Sequence, residues 1–230
     1  MESIILKFSG PLQAWGTSSH FEIRHTDFYP SKSAVIGMVA AALGYRRDNE
    51  QIRSLNDLLF AVRIDQPGEI IDDYQTAHQR EGKKIRTYVT HRKYIEDAVF
   101  VAVISSENEE WIKQIGNALK KPYFQLFMGR RSCPVPADLV QGIVKGDPIQ
   151  LLEEFPWQAI ESVQKKRKSA RLHIYADEIL LPSAEGKFRR DAIVSLSYHG
   201  RNYSLRRESS TTIQKSTNVQ EHDAFAALGG

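Results

Sequence analysis

The sequence predicts an α+β fold, a ferredoxin-like sandwich of strands and helices with a projecting β-hairpin, on three observations. β-prone runs and helical apolar spacing follow one another in the order strand, helix, helix, strand, hairpin, strand, helix. The continuous apolar run Ala98–Ile104 has the character of a central strand buried on both faces. From Ile70 to Tyr94 the chain is β-prone but too polar to bury, which describes two arms standing away from a core.

Each element has its own justification. Ile4-Ile5-Leu6-Lys7-Phe8 is a short strand stopped by the Ser9-Gly10-Pro11 turn. Val35, Met38, Val39, Ala42 and Leu43 keep helical spacing, with Ser31 or Ser33 as cap and Gly44 at the C′ position. Gly37 inside that helix costs about 1 kcal/mol relative to Ala, so it marks close packing or the close approach of a partner. Asp48 is placed to cap a second helix through Ile52, Leu55, Leu58 and Leu59. Phe60–Asp65 then alternates as a strand that Pro67-Gly68 breaks. The hairpin spans about residues 70–95 and turns at Gly82. After Ala98–Ile104 comes an amphipathic helix with Trp111, Ile115 and Leu119 on one stripe, acidic at its start and ended by Pro122.

Beyond Phe124 the pattern weakens. Asp147-Pro148 starts a short helix, and Ala170–Tyr175 and Ile193–Tyr198 read as strands. The Ser/Thr-rich stretch Ser209–Thr217 reads as a mobile tail. The division expected is therefore residues 1–125 as a ferredoxin-like domain and residues 126–230 as a loop followed by a small, irregular β-rich lobe.

Composition narrows the function classes. The 230 residues carry 31 Lys+Arg against 28 Asp+Glu, a net charge of +3, with 41% hydrophobic residues. That is enough apolar material to bury a core. No run approaches the roughly 20 apolar residues of a membrane span, and Met1–Leu6 lacks the basic start of a signal peptide. A single cysteine excludes an internal disulfide. The seven histidines show no metal-ligand spacing. A cytoplasmic protein without metal or cofactor is expected.

The net charge hides a segregated distribution. Between His78 and Tyr94, Arg80, Lys83, Lys84, Arg86, Arg92 and Lys93 stand against one acid, Glu81; Lys165-Lys166-Arg167-Lys168 with Arg171 has none. Arg130-Arg131, Arg189-Arg190 and Arg206-Arg207 add basic pairs. Five clusters favour a polyanionic partner over solvated faces. Two of the motifs have phosphate chemistry available. Pro30-Ser31-Lys32-Ser33 puts a Lys and free N–H groups at a helix start, which suits an anion or simple capping. Gly129-Arg130-Arg131-Ser132 sets two guanidiniums beside a flexible glycine, which suits a phosphate or a salt-bridged turn. Trp15, in Gln13-Ala14-Trp15-Gly16, either stacks on a base or fills the core edge, and Cys133 is expected to be inert and buried. His78, Tyr88, His91, Lys93 and Tyr94 are the residue types of a metal-independent ribonuclease, but a hairpin that grips a backbone would look the same.

Phe8-Ser9-Gly10-Pro11-Leu12-Gln13-Ala14-Trp15-Gly16, Arg24, Pro30-Ser31-Lys32-Ser33 with Gly37, Leu43 and Gly44, Asp73-Tyr74, and Gly129-Arg130-Arg131-Ser132-Cys133-Pro134 together resemble one CRISPR-associated family. It is the CasD family, the fifth Cas family, of the type I-E Cascade, within the repeat-associated mysterious protein (RAMP) superfamily. The resemblance covers roughly residues 1–150. It implies an RRM-like RAMP domain with a hairpin thumb, and a non-catalytic subunit that binds the 5′ handle of the CRISPR RNA (crRNA) in antiviral defence. The implied partners are the adjacent Cascade backbone subunit and the large Cascade subunit, with target DNA met only through the assembled complex. Relatives in type I-C systems are endoribonucleases, which makes repeat-RNA processing the alternative. Carried onto this chain, the resemblance gives Arg24, Lys32, Ser33, Arg130, Arg131 and Ser132 to the RNA. Lys83, Lys84, Arg86, Arg92 and Lys93 of the hairpin join them by charge and position, and Gln13 and Trp15 are candidates for base contact.

Overall fold

The computed structural model describes residues 1–16, 23–82 and 84–216. Lys83 and Thr217, both singled out above, lie outside the described residues. In chain order the elements are β1 (Glu2–Ser9), β2 (Leu12–Gln13), β3 (Ile23–Arg24), α1 (Lys32–Ala42), α2 (Gln51–Ser54) and β4 (Leu59–Gln66). The hairpin arms β5 (Glu69–Glu81) and β6 (Lys84–Glu96) follow, then β7 (Val99–Ser106) and α3 (Glu109–Lys120). Last come β8 (Val140–Lys145), α4 (Pro148–Glu154), α5 (Glu161–Arg167), β9 (Ser169–Asp177), β10 (Lys187–Ser195) and β11 (Asn202–Ser216).

The protein is a mixed α/β, sheet-rich structure. Seven strands form one sheet in the order β10-β11-β9-β4-β7-β1-β8, and every pairing in it is antiparallel. β7 lies inside the sheet between β4 and β1 and is buried along nearly its whole length, as its unbroken apolar run requires. The period-2 alternation sends Phe8, Phe60, Val62, Phe100 and Ile104 to one face, under α1 and α3. Ile5, Ala61, Val101, Val103 and Ile174 go to the other face, under α4. The strands after residue 125 hydrogen-bond into this same sheet, β8 on β1 and β9 on β4, so the expected C-terminal lobe shares its backbone with the first half.

A second sheet is built on the hairpin. β5 and β6 pair over 13 residues each, Gly82 turns between them at φ +60°, and β2 and β3 flank the root of β6. From Thr76 to Gln79 and from Lys84 to Val89 every residue is exposed.

Several expectations are corrected. The second helix is one short turn followed by a 3₁₀ turn, Leu55–Asp57; Glu50 rather than Asp48 stands at its N-cap, and the Asn49 Oδ1 accepts from the Gln51 N–H at 2.8 Å. On α3 the buried stripe is Ile112, Ile115, Gly116 and Leu119; Trp111 sits at its margin. The strand expected at Ile193–Tyr198 lies earlier, at Lys187–Ser195. The Ser/Thr stretch read as a tail is the end of β11 as far as Ser216. Serine and threonine are tolerated there because β9 supplies a full antiparallel ladder from Glu208 to Ser216.

Candidate nucleic-acid interface

The two strings most distinctive in the sequence meet in space. The Ala14 N–H donates to the Met128 carbonyl at 3.1 Å, and Gly129 lies so close to Ala14 that a Cβ there would stand 1.5 Å from the Ala14 carbonyl oxygen. Gly129 also has φ +81°, so glycine is required both for the conformation and for the approach. This contact fixes the Gly-Arg-Arg loop against the start of the second sheet.

Above it opens a cleft of about 470 Å³. Its floor is one face of α1, where Ser33, Gly37 and Ala41 follow each other at i, i+4 spacing with Met38 beside them. A Cβ at Gly37 would meet nothing within 4 Å, so Gly37 is needed for open space rather than for packing. Arg24, His25, Arg47, Arg130 and Arg201 line the walls together with Gln125, Phe127 and Tyr203, and among the described residues no carboxylate lines it. Four guanidiniums around such a cavity attract anions, and their planar forks match phosphate oxygens.

The hairpin continues this surface. In the β5–β6 register Tyr94, Arg92, Thr90, Tyr88, Arg86 and Lys84 share one face of β6. At its root the Arg130 guanidinium lies 4.3 Å above the Tyr94 ring and donates to the Arg24 carbonyl at 3.0 Å. The Ser132 hydroxyl is 3.4 Å from the Tyr94 hydroxyl. β3 pairs with β6 so that Arg24 stands beside Arg92. Arg92 Nε and Arg130 Nη1 are buried and have no hydrogen-bond partner among the described residues. Buried guanidinium N–H groups are nearly always satisfied, so two in one place point to acceptors that arrive with a ligand.

The structure thus gathers Arg24, Ser33, Arg92, Arg130 and Ser132, leaves Lys84 and Arg86 on the exposed part of the same hairpin face, and keeps Arg131 exposed beside the loop. Lys93 lies on the opposite face of the hairpin with His91, which is 3.2 Å from the Asp72 carboxylate. The ribonuclease residue types are divided the same way. His78, His91 and Lys93 share that face, whereas Tyr88 and Tyr94 are on the other.

Three assignments are corrected. Gln13 is fully buried, donating to the Ala98 carbonyl at 2.8 Å and accepting from Trp15 Nε1 at 3.0 Å. Trp15 is 1% exposed and packs edge-to-face on Phe8, so neither residue offers a surface to a base. Lys32 is buried too. Its Nζ pairs with Asp177 at 2.9 Å, and its backbone N–H, the anion-seeking start of α1, is taken by Asp191 at 3.0 Å. The helix start does bind an anion, but the anion belongs to the protein.

That carboxylate belongs to a buried network. Arg206 contacts Asp177, Asp191 and Glu208, and Arg189 contacts Asp27, Asp191 and Glu208. Burial opposes the Arg206 charge, but Asp191, Glu208 and Asp177 outweigh it and hold the guanidinium more firmly protonated. Burial likewise raises the Tyr29 hydroxyl, which donates to Glu208 at 2.7 Å. Arg207 pairs with Glu178 at 2.7 Å. The strand alternation turns Arg189 and Arg206 inward and leaves Arg190 exposed. Cys133 is buried, and burial pushes its thiol up, away from nucleophilic use. Arg47, Arg201, His25 and Tyr203 escaped the sequence reading. Arg46-Arg47, immediately after the Gly44 turn, was the one visible signal.

Residues 3–211 match the profile of a family described as "CRISPR-associated protein (Cas_Cas5)". The chain is 31% identical over 169 residues to the CRISPR system Cascade subunit CasD of Escherichia coli strain K12, covering 65% of this chain and 75% of that protein. It superposes on a chain of a CRISPR RNA-guided surveillance complex with a TM-score of 0.78 and 29% identity, over 94% of this chain and 91% of the other. A crystal structure of a Cas protein gives 0.67 at 27% identity, over 93% and 95%.

Proposed function

The chain belongs to the Cas5 family of CRISPR-associated proteins, and from that premise we propose that it is the non-catalytic Cascade subunit that captures the 5′ handle of the crRNA. In this reading the order β8-β1-β7-β4, with α1 and α3 on one face, is the ferredoxin-like RAMP core, and β5–β6 is its thumb. The observation that carries the proposal is the arginine-lined cleft running into the Tyr94–Arg92–Tyr88–Arg86 face of the hairpin. Single-stranded RNA is bound by just such a mixture, cations on the phosphates and aromatic or guanidinium planes on splayed bases. The Gly37 opening gives a base or a sugar a place to enter, and the unpartnered Arg92 Nε and Arg130 Nη1 supply donors for phosphate oxygens. The adjacent backbone subunit and the large subunit are the protein partners, target DNA is met through the complex, and the site of action is the cytoplasm. No cofactor enters this reading.

The test is binding of handle-bearing and scrambled RNA by wild type and by Gly37→Leu. The Cβ meets nothing within 4 Å, so the leucine side chain projects into the cleft, and in a helix leucine is favoured over glycine by several tenths of a kcal/mol. The variant is expected to fold as well as wild type and to lose at least about tenfold in handle affinity, because the side chain fills the cleft. Equal binding of scrambled and handle RNA by wild type would sink the proposal. A single cut in repeat RNA incubated with the protein in EDTA would replace it with the endoribonuclease reading.

A further inference from the structure

β11 links the cleft to a second surface. Arg201 and Tyr203, at its beginning, line the cleft, and Arg206 and Glu208 belong to the buried network. From Ser210 onward the strand has passed the end of β10 and pairs with β9 alone. There the two strands present one pleated face: Arg171 opposite Gln214, His173 opposite Thr212, and Tyr175 opposite Ser210. Arg171, His173, Ser210, Thr212 and Gln214 are all exposed. The alternate residues Leu172, Ile174 and Ile213 pack into the apolar clusters on the other face, so the orientation of the exposed set is fixed.

The chemistry of this face is specific. Neither strand carries a carboxylate from Ser169 to Ala176 or from Ser209 to Ser216, and the chain enters β9 from Lys165-Lys166-Arg167 at the end of α5. Guanidinium, imidazole, hydroxyl and amide groups make up the exposed set, without a large aliphatic side chain. Such a surface lacks the apolar centre of a protein–protein contact. It has the groups that bind phosphate and sugar. His173 is held in a stack, 6.4 Å from the Tyr175 ring, which lies 4.0 Å from Tyr29. Its ring is therefore positioned to present an edge rather than to follow a base.

The geometry points to the β9–β11 face as a second nucleic-acid site, one that holds the sugar–phosphate backbone of the RNA where it continues beyond the handle, without reading its sequence. The proposal rests on the reading of the cleft as the handle site. From Tyr203 to Thr212 the strand runs nine residues, roughly 30 Å at about 3.3 Å per residue, so the two sites take different nucleotides of one strand.

The experiment measures affinity of the full chain for three RNAs: the handle alone, and the handle extended by twelve nucleotides of either of two unrelated sequences. Wild type is expected to bind both extended RNAs about tenfold more tightly than the handle, a gain the size of one charge-assisted hydrogen bond. Arg171→Ala with His173→Ala, and separately Gln214→Glu, are expected to erase that gain and leave handle affinity unchanged. All three positions are exposed, so the fold is kept. No gain in wild type, a gain that survives in both variants, or a gain confined to one extension sequence would each overturn the inference. Failure of wild type to prefer the handle over scrambled RNA would instead overturn the reading of the cleft.

Discussion

Gly129 has less freedom than any other glycine in the described structure. Its φ of +81° and the 1.5 Å approach of a would-be Cβ to the Ala14 carbonyl forbid a side chain for two independent reasons. Relief would require parting the loop that carries Arg130 from the strand end that carries Trp15. Gly129→Ala is therefore expected to destabilise the fold by at least about 2 kcal/mol, read from the urea midpoint, and to weaken handle binding as Arg130 moves. A variant as stable as wild type would show that the loop can dock differently. Gly37 is the opposite case, a glycine with empty space in front of it. The same residue type serves contact at one position and vacancy at the other, and only the surroundings tell them apart.

Among the elements, the hairpin is where stability and function separate most cleanly. Its distal residues are exposed on both faces, so they add little buried area to the core, while Lys84, Arg86, Tyr88 and Arg92 sit on the face continuous with Arg130. Replacing residues 76–89 by Asn-Gly, which would close Gln75 onto Thr90 in a type I′ turn, is expected to leave the melting temperature within about 4 °C of wild type. Handle affinity should fall and the salt slope of binding should flatten by about one to two, since Lys84 and Arg86 no longer displace counterions. A melting temperature lowered by 10 °C would mean the arms are part of the core. The hairpin, the buried β7 and the capped start of α1 were legible because each leaves a local mark: polar β-prone arms around a glycine, an unbroken apolar run, and a serine before helical spacing. α2 was overextended because Leu58 and Leu59 keep helical spacing by coincidence with the start of a strand.

At the scale of the whole molecule, charge is sorted by the sheet. Lys32, Arg189 and Arg206 are drawn inward to Asp27, Asp177, Asp191 and Glu208, tying the first turn of α1 to β9, β10 and β11. Asp191 is central: it accepts from the Lys32 N–H and from Arg206, and it is fully buried. Asp191→Ala leaves those donors buried and unpaired, and is expected to cost about 3–5 kcal/mol by chemical denaturation. A loss below 1 kcal/mol would mean the network is solvated. With these arginines spoken for, two of the three basic pairs lose a member to the interior and the cleft arginines stand out.

The sequence by itself determined the order of the main elements up to α3, the presence of the hairpin and the family. These depend on neighbours along the chain: periodicity of two or 3.6, a glycine at a turn, a string of motif residues. The tertiary structure alone decided which cations are available. Lys32, Gln13 and Trp15 carry the right chemistry in the right motif and are buried, while Arg47 and Arg201, in no motif at all, line the cleft. A guanidinium is free for a phosphate only if no internal carboxylate reaches it first. Asp177 and Asp191 lie 145 and 159 residues from Lys32 in the chain, and only the closing of the sheet brings them together.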